Sequence, residues 1–230
     1  MDLALSPDEI AAVRTSLVVG ARAVAVALPL AVLTALALVR GRFPGRSLVA
    51  AAAQAPLVLP PVAVGYVLLL LFGVHGPIGR LLDHLGVRLV FTSAGASLAA
   101  GVMAFPLMVR AVSLSLEAVD PTLEEAARSL GARPLDRFLT VTLPLSAPGV
   151  LAAAIVGFAA CMGEFGAVIT FAANVPGRTQ TLPLAIYSAL QTPGGDAAAA
   201  RLAALSFVVA GAALLAAEAL ARSTRTWIGR

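Results

Sequence analysis

Lysine is missing from this chain: all 16 basic side chains among its 230 residues are arginine. A P-loop sets a lysine amine on the terminal phosphates of a nucleotide, and a Schiff-base enzyme uses one as its nucleophile. The chain can be neither. Thiols are almost as scarce. The single cysteine, Cys161, lies inside an apolar run without a partner for an intrachain disulfide, and it reads as a packing residue. The two histidines, His75 and His84, stand nine residues apart with no thiol nearby. They fall short of the three or four convergent ligands that a metal site uses. Charge of either sign is also thin, at 12% of residues, against about 25% in soluble domains. A membrane enzyme would need clustered carboxylates, a histidine-based metal set or a nucleophile beside a base, and none of these is found.

What fills the chain instead is apolar. Hydrophobic residues make up 60% of it and the mean hydropathy is +0.95. Such a chain cannot hide its apolar surface in a water-soluble core, and a run of about 20 apolar residues spans a bilayer. Five runs qualify, at roughly 15–39, 48–73, 90–116, 145–172 and 202–221. The expected fold is therefore an all-α integral membrane protein of about five transmembrane helices, in one domain over residues 1–230. The first run carries Arg22 and Pro29, and the second Gln54, Pro56, Pro60, Pro61 and Gly65; these breakers predict a kinked helix buried among neighbours.

Five spans put the two ends on opposite sides. Arg40, Arg42, Arg46, Arg128, Arg133, Arg137, Arg222, Arg225 and Arg230 fall on one side of such a bundle, and only Arg14, Arg80, Arg88, Arg178 and Arg201 on the other. The positive-inside rule places the N-terminus outside and the C-terminus in the cytoplasm. Trp227 then marks the cytoplasmic interface. The N-terminus carries Asp2, Asp8 and Glu9 and leads into a run too long for a signal peptide, so no cleavage is expected.

Residues 122–149 form a polar segment between apolar runs, and their polarity is patterned. Leu123, Ala126, Ala127 and Leu130 fall at i, i+3, i+4 and i+7, which predicts a short amphipathic helix. Thr122 with Glu125 makes a capping box, Asp120 with Pro121 offers an alternative start, and Gly131 supplies a left-handed stop. A second helical turn is expected from Pro134, carrying Leu135, Phe138 and Val141 and ending at Leu143 and Pro144. A helix this short is marginal in water, so its apolar face needs something to pack against.

Glu125-Ala126-Ala127, then Gly131, then Val141-Thr142-Leu143-Pro144 resembles the EAA loop of the membrane subunits of ABC importers. The segments 59–70, 105–111, 163–171, 174–187 and 191–195 are further similar to the molybdate permease branch of that family, so the likeness covers nearly the whole chain. The resemblance implies a type I importer permease fold in which residues 120–144 form a cytoplasmic coupling loop, with Glu125, Ala126, Ala127, Gly131, Leu143 and Pro144 as its motif positions. It implies a homodimer that carries molybdate and also tungstate through the cell's inner membrane, two ATP-binding cassette subunits and an extracytoplasmic oxyanion-binding protein. The surroundings are membrane lipid, with no role for nucleic acid. No cofactor is expected on this chain itself, since ATP and magnesium belong to the partner ATPase. A sulfate or thiosulfate permease is the alternative within the family. A secondary transporter is the alternative outside it, but it would usually show repeated helices and a coupling carboxylate near the midplane.

Charges inside the spans are few and costly. Arg110, near the end of the third run, either snorkels to the inner interface or lines the inner mouth of a pathway. Glu164 lies 18 residues beyond Ser146, about 27 Å along a helix and in the outer half of the membrane. A carboxylate repels an oxyanion, so a structural or gating role suits Glu164 with Phe165 and Gly166 beside it. Arg22, at matching depth, is a candidate ion-pair partner; backbone donors at a helix break are the other candidates. Residues 173–201 are too rich in proline and glycine to span, and should form an outer loop with one helix over 182–190.

Overall fold

The computed structural model describes residues 5–228, with side chains as far as Ala213 and at Leu215. The expectations for Asp2, Arg222, Arg225, Trp227 and Arg230 lie outside these described residues and side chains. Among the described residues every regular element is helical.

The first helix, α1, runs Pro7–Arg40 and starts eight residues earlier than the apolar run suggested. A capping box explains its start: the Ser6 hydroxyl accepts from the Glu9 amide at 3.2 Å, and the Glu9 carboxylate accepts from the Ser6 amide at 2.7 Å. The expected second span is two helices, α2 (Arg46–Val58) and α3 (Pro61–Phe72), which meet at 118°. This is a break where a kink was expected. Leu59 and Pro60 both take extended backbone, with ψ of 146° and 132°. A residue preceding proline is pushed out of the helical region, and two prolines in succession do this twice.

A short helix, α4 (Pro77–His84), lies between the expected second and third spans, and α5 (Ser93–Glu117) follows, capped by the Thr92 hydroxyl. Next come α6 (Pro121–Ser129), the single turn α7 (Pro134–Arg137), a π-helical turn over Phe138–Thr142, and α8 (Leu143–Gly163). The expected fourth span breaks at Glu164, so that α9 (Gly166–Ala172) is a separate piece. The expected outer helix is α10 (Leu182–Leu190), and α11 (Asp196–Ile228) is the last described element.

Small residues decide the packing. Ala23, Ala27, Ala31 and Ala35 repeat every four positions on α1 and are buried against Ala96, Ala100 and Ala104 of α5. Helices that lack a hydrophobic drive towards each other in lipid gain from such close backbone approach. Gly101 opposes Ala23, Ser93 opposes Arg22, and Arg40 reaches Leu116, so α1 and α5 run parallel. Helix α8 runs antiparallel to α5: the Ser115 hydroxyl donates to the Ser146 carbonyl at 3.2 Å, and a Cβ on Gly157 would stand 2.6 Å from Met108 Sδ. An ion pair of Arg201 with Glu9, at 3.0 Å, ties the start of α11 to the start of α1. The bundle therefore has two ends. One gathers the starts of α1, α5 and α11 with α9 and α10; the other gathers Arg40, the end of α5, and α6.

Candidate functional site

The loop after α5 is anchored at its inner side and open at its outer side. Asp120, not Thr122, is the N-cap of α6: its carboxylate accepts from the Thr122 amide at 2.9 Å. Pro121 at the first position favours this start, because its fixed φ suits a helix and it has no amide to satisfy. The capping box expected from Thr122 and Glu125 is not formed. The Thr122 amide beside Asp120 holds its carboxyl below the usual carboxylate range. At the other end Gly131 takes φ +88°, and Ala132 donates to the Ala127 carbonyl at 3.0 Å, closing the helix with a left-handed stop.

The polar anchor is Glu124, a residue that spacing alone passed over. Its Oε1 accepts from Arg40 Nη2 at 3.1 Å and from the Thr142 hydroxyl at 2.9 Å. Arg40 Nη2 also donates to the carbonyls of Leu116, at 3.1 Å, and Val119, at 3.5 Å. One guanidinium and one carboxylate thus join the end of α1, the end of α5, α6 and the π turn. The signal that could have found this pair is the last-turn arginine of α1, but its partner stands 84 residues away. Glu125 is exposed, and its carbonyl accepts from the Ser129 hydroxyl at 3.0 Å.

With Glu124 turned inward, the apolar row of α6 turns outward. Leu123 is 46% exposed, Leu130 89% and, beyond the stop, Leu135 66%; Ala126 is exposed and Ala127 half-buried. This is the reverse of a helix that packs on its own bundle.

Leu143 and Pro144 do not end the second helical turn, as expected, but open α8. Pro144 has no amide, and its ring would clash with the Thr140 carbonyl in a regular helix. The π turn over Phe138–Thr142 widens the ladder just before it, with Leu143 donating to the Phe138 carbonyl. The chain from Pro134 to Gly163 is therefore one continuous helical rod of 30 residues.

At the opposite end, Glu164 terminates α8 and its Oε1 accepts from the Ala167 amide at 2.8 Å. Of the two partners weighed, the backbone is the one found. Arg22 donates instead to the Ser93 hydroxyl at 3.3 Å, and no Arg22–Glu164 ion pair exists among the described residues. Phe165 packs against Tyr187 with the rings tilted by 58° and their centres 5.3 Å apart. A Cβ on Gly166 would stand 2.7 Å from Pro61, and one on Gly65 would stand 2.8 Å from the Ala167 carbonyl. The break in α8–α9 and the break in α2–α3 thus lock into each other. Arg110 is not part of this group. It is exposed on α5, on the far side of the Met108–Gly157 contact from Glu164, more than about 10 Å away along the axis.

Residues 173–201, expected as an outer loop, form a fastened cap at the end opposite α6. Gln180 Nε2 donates to Asn174 Oδ1 at 3.0 Å, Asn174 Nδ2 donates to the Ser188 hydroxyl at 2.7 Å, and the Leu182 amide donates to the buried Ser16 hydroxyl of α1 at 2.7 Å.

Residues 27–226 match the model of a family described as "binding-protein-dependent transport system inner membrane component". The molybdenum transport system permease protein ModB of Escherichia coli (strain K12) is 50% identical over 227 residues, which is 98% of this chain and 99% of that protein. The protein of the same name from Haemophilus influenzae is 46% identical over 96% of this chain and 97% of its own length. The sulfate transport system permease protein CysT of Salmonella typhimurium is 35% identical, covering 93% of this chain and 76% of that one. Among solved structures, a bacterial alginate ABC transporter chain superposes with a TM-score of 0.76 at 18% identity, over 95% of this chain and 80% of that chain. An inward-facing methionine ABC transporter chain gives 0.68 at 18% identity, over 94% of each.

Proposed function

The chain belongs to the family of binding-protein-dependent transport system inner membrane components, and from that premise we propose that it is the permease subunit of an ATP-driven molybdate importer. The observation that carries the coupling role is the outward-facing apolar row of α6, held rigidly from behind by Arg40, Glu124 and Thr142. Leu123, Ala126 and Leu130 present an apolar face of the kind that fits a groove on a partner, in a helix-in-groove contact. The partner is an ATPase subunit, which supplies the nucleotide chemistry that a chain without lysine does not contain.

Two copies of the chain enclose the pathway, each with one α6 on one ATPase. When ATP closes the ATPases, α6 moves, and Arg40 and Glu124 pass that displacement to α1, α5 and α8 together. The interlocked breaks at Pro61 and Gly166 are the parts of the bundle free to re-pack at the opposite end, because broken helices have already given up their ladder there. Glu125, Ala126, Ala127, Gly131, Leu143 and Pro144 act in coupling, and Glu164, Phe165 and Gly166 in the outer constriction. Arg110 faces the inner part of the pathway, where its charge suits an anion. The α6 end lies in the cytoplasm and the N-terminus outside. An extracytoplasmic binding protein delivers the oxyanion to the cap formed by residues 173–201.

Molybdate is favoured over sulfate because identity to the molybdenum permeases is higher and extends over both chains almost completely. The test is ATP hydrolysis and uptake in proteoliposomes holding this chain, its ATPase and its binding protein loaded with molybdate, tungstate or sulfate. Stimulation by molybdate and tungstate alone is expected. Stimulation by sulfate alone would overturn the substrate, and no association with the ATPase would overturn the coupling role.

A further inference from the structure

Two cavities on the outside of α1 meet at one residue. The first is a cleft of about 510 Å³ lined by Arg14, Arg22 and Arg178 together with Thr15, Ser93 and Gly177. Among the described residues no carboxylate lines it, and the ion pairs found among them employ Arg40, Arg88 and Arg201 and none of these three guanidinium groups. The second is an apolar groove of about 710 Å³ between α1, α2 and α5, walled by Ala27, Leu30, Ala52, Pro56, Val102 and Phe105. Arg22 lines both.

Depth relates them to the bilayer. Arg40 marks the α6 end of α1, and Arg22 is 18 residues, or about 27 Å, from it; the hydrocarbon layer is about 30 Å thick. Arg22 therefore sits at the opposite interface, with Arg14 about 12 Å further out among the headgroups. Along α1 the groove runs from Arg22 to Thr34, about 18 Å, close to the depth of one leaflet.

We propose that the cleft and groove form a single site for an anionic phospholipid of the outer leaflet, its phosphate held by Arg14, Arg22 and Arg178 and one acyl chain lying between α1, α2 and α5. A free oxyanion would account for the cleft but not for an apolar groove one leaflet deep. A second copy seated on the groove would cover its apolar wall but supplies no anion for the three cations beside it, since none of the exposed acids among the described residues is shown opposite them. The proposal needs only that the chain spans a membrane, and is independent of the substrate assigned above.

The test is native mass spectrometry of the full complex of permease and ATPase, exchanged into phosphatidylglycerol or phosphatidylcholine and then progressively delipidated. Wild type is expected to retain phosphatidylglycerol preferentially. Arg14→Gln, Arg22→Gln and Arg178→Gln should each lower that preference roughly fivefold, and Ala52→Phe, which fills the groove from an exposed position, should lower retention with the arginines intact. Equal retention of the two lipids, or no change in any variant, would overturn the site. So would displacement by millimolar molybdate or phosphate with Ala52→Phe silent, which would mark a free-oxyanion cleft. Loss of dimer mass without loss of lipid in Ala52→Phe would reassign the groove to a second copy. ATP hydrolysis and uptake by the same preparations report separately on the transport reading.

Discussion

Glu124 and Glu125 are adjacent acids with opposite surroundings, and the difference separates the residue that holds α6 from the residue that opens the motif. Glu124 accepts from Arg40 and Thr142 with its side chain 22% exposed, while Glu125 is exposed. Hydrogen bonds to a charged group contribute about 1.5–3 kcal/mol, less where water screens them. Glu124→Gln should therefore destabilise the loop by about 1–2 kcal/mol and uncouple ATP hydrolysis from substrate delivery; Glu125→Gln should leave thermal stability unchanged. Arg40→Lys should not substitute, because an ammonium cannot reach two carbonyls and a carboxylate with the fork of a guanidinium. Melting of the purified complex, read beside stimulated ATPase activity, checks all three.

Asp120 adds a dependence on acid. Its carboxyl is lowered from the ordinary 3.8 by the Thr122 amide. The cap therefore contributes fully above that value and is lost as pH falls through the lower, folded-state value. Amide protection at Thr122 and Leu123 should fall between about pH 5 and the acid limit in wild type. In Asp120→Asn, which caps without titrating, it should stay flat. The same acid loss in both would remove Asp120 as its cause.

At the scale of elements, hydropathy located the apolar runs because bilayer thickness sets their length, and the outer helix Leu182–Leu190 stands where proline and glycine spacing put it. The 118° turn at Leu59–Pro60 was not legible, since proline kinks or breaks a helix according to what packs beside it, and here Gly166 packs on Pro61 from 105 residues further along the chain. The pairing of Arg40 with Glu124 was hidden for the same reason. Leu143-Pro144 read as a stop because an isolated proline usually is one; the π turn before it is a tertiary accommodation. Gly131 was legible, because only the backbone decides its place: φ is +88° and nothing lies within 4 Å of an added Cβ. Gly131→Ala should thus pay for left-handed backbone alone, about 1–2 kcal/mol, and Gly131→Val more. Weakened ATPase association should rank wild type, Ala, Val. If both variants bind as wild type does, the stop does not orient α6.

The whole molecule has two ends, and the absence of lysine makes them distinguishable. Parallel α1 and α5, antiparallel α8, and α11 starting beside α1 place Arg40, Arg42, Arg46, Arg128, Arg133 and Arg137 at the α6 end with Glu117, Asp120, Glu124, Glu125 and Asp136, while Arg14, Arg80, Arg88, Arg178 and Arg201 gather at the other with Asp8, Glu9, Asp83 and Asp196. The proposed orientation, with the α6 end in the cytoplasm, can be read directly by amine labelling. A single introduced lysine would be the only side-chain amine in the chain. Leu135→Lys falls at the α6 end and Gln191→Lys at the cap, both on exposed positions. Treating intact cells with a membrane-impermeant amine reagent should modify Gln191→Lys and spare Leu135→Lys until the membrane is opened. Labelling of Leu135→Lys in intact cells, with Gln191→Lys spared, would invert the molecule and put α6 out of reach of any ATP-hydrolysing partner.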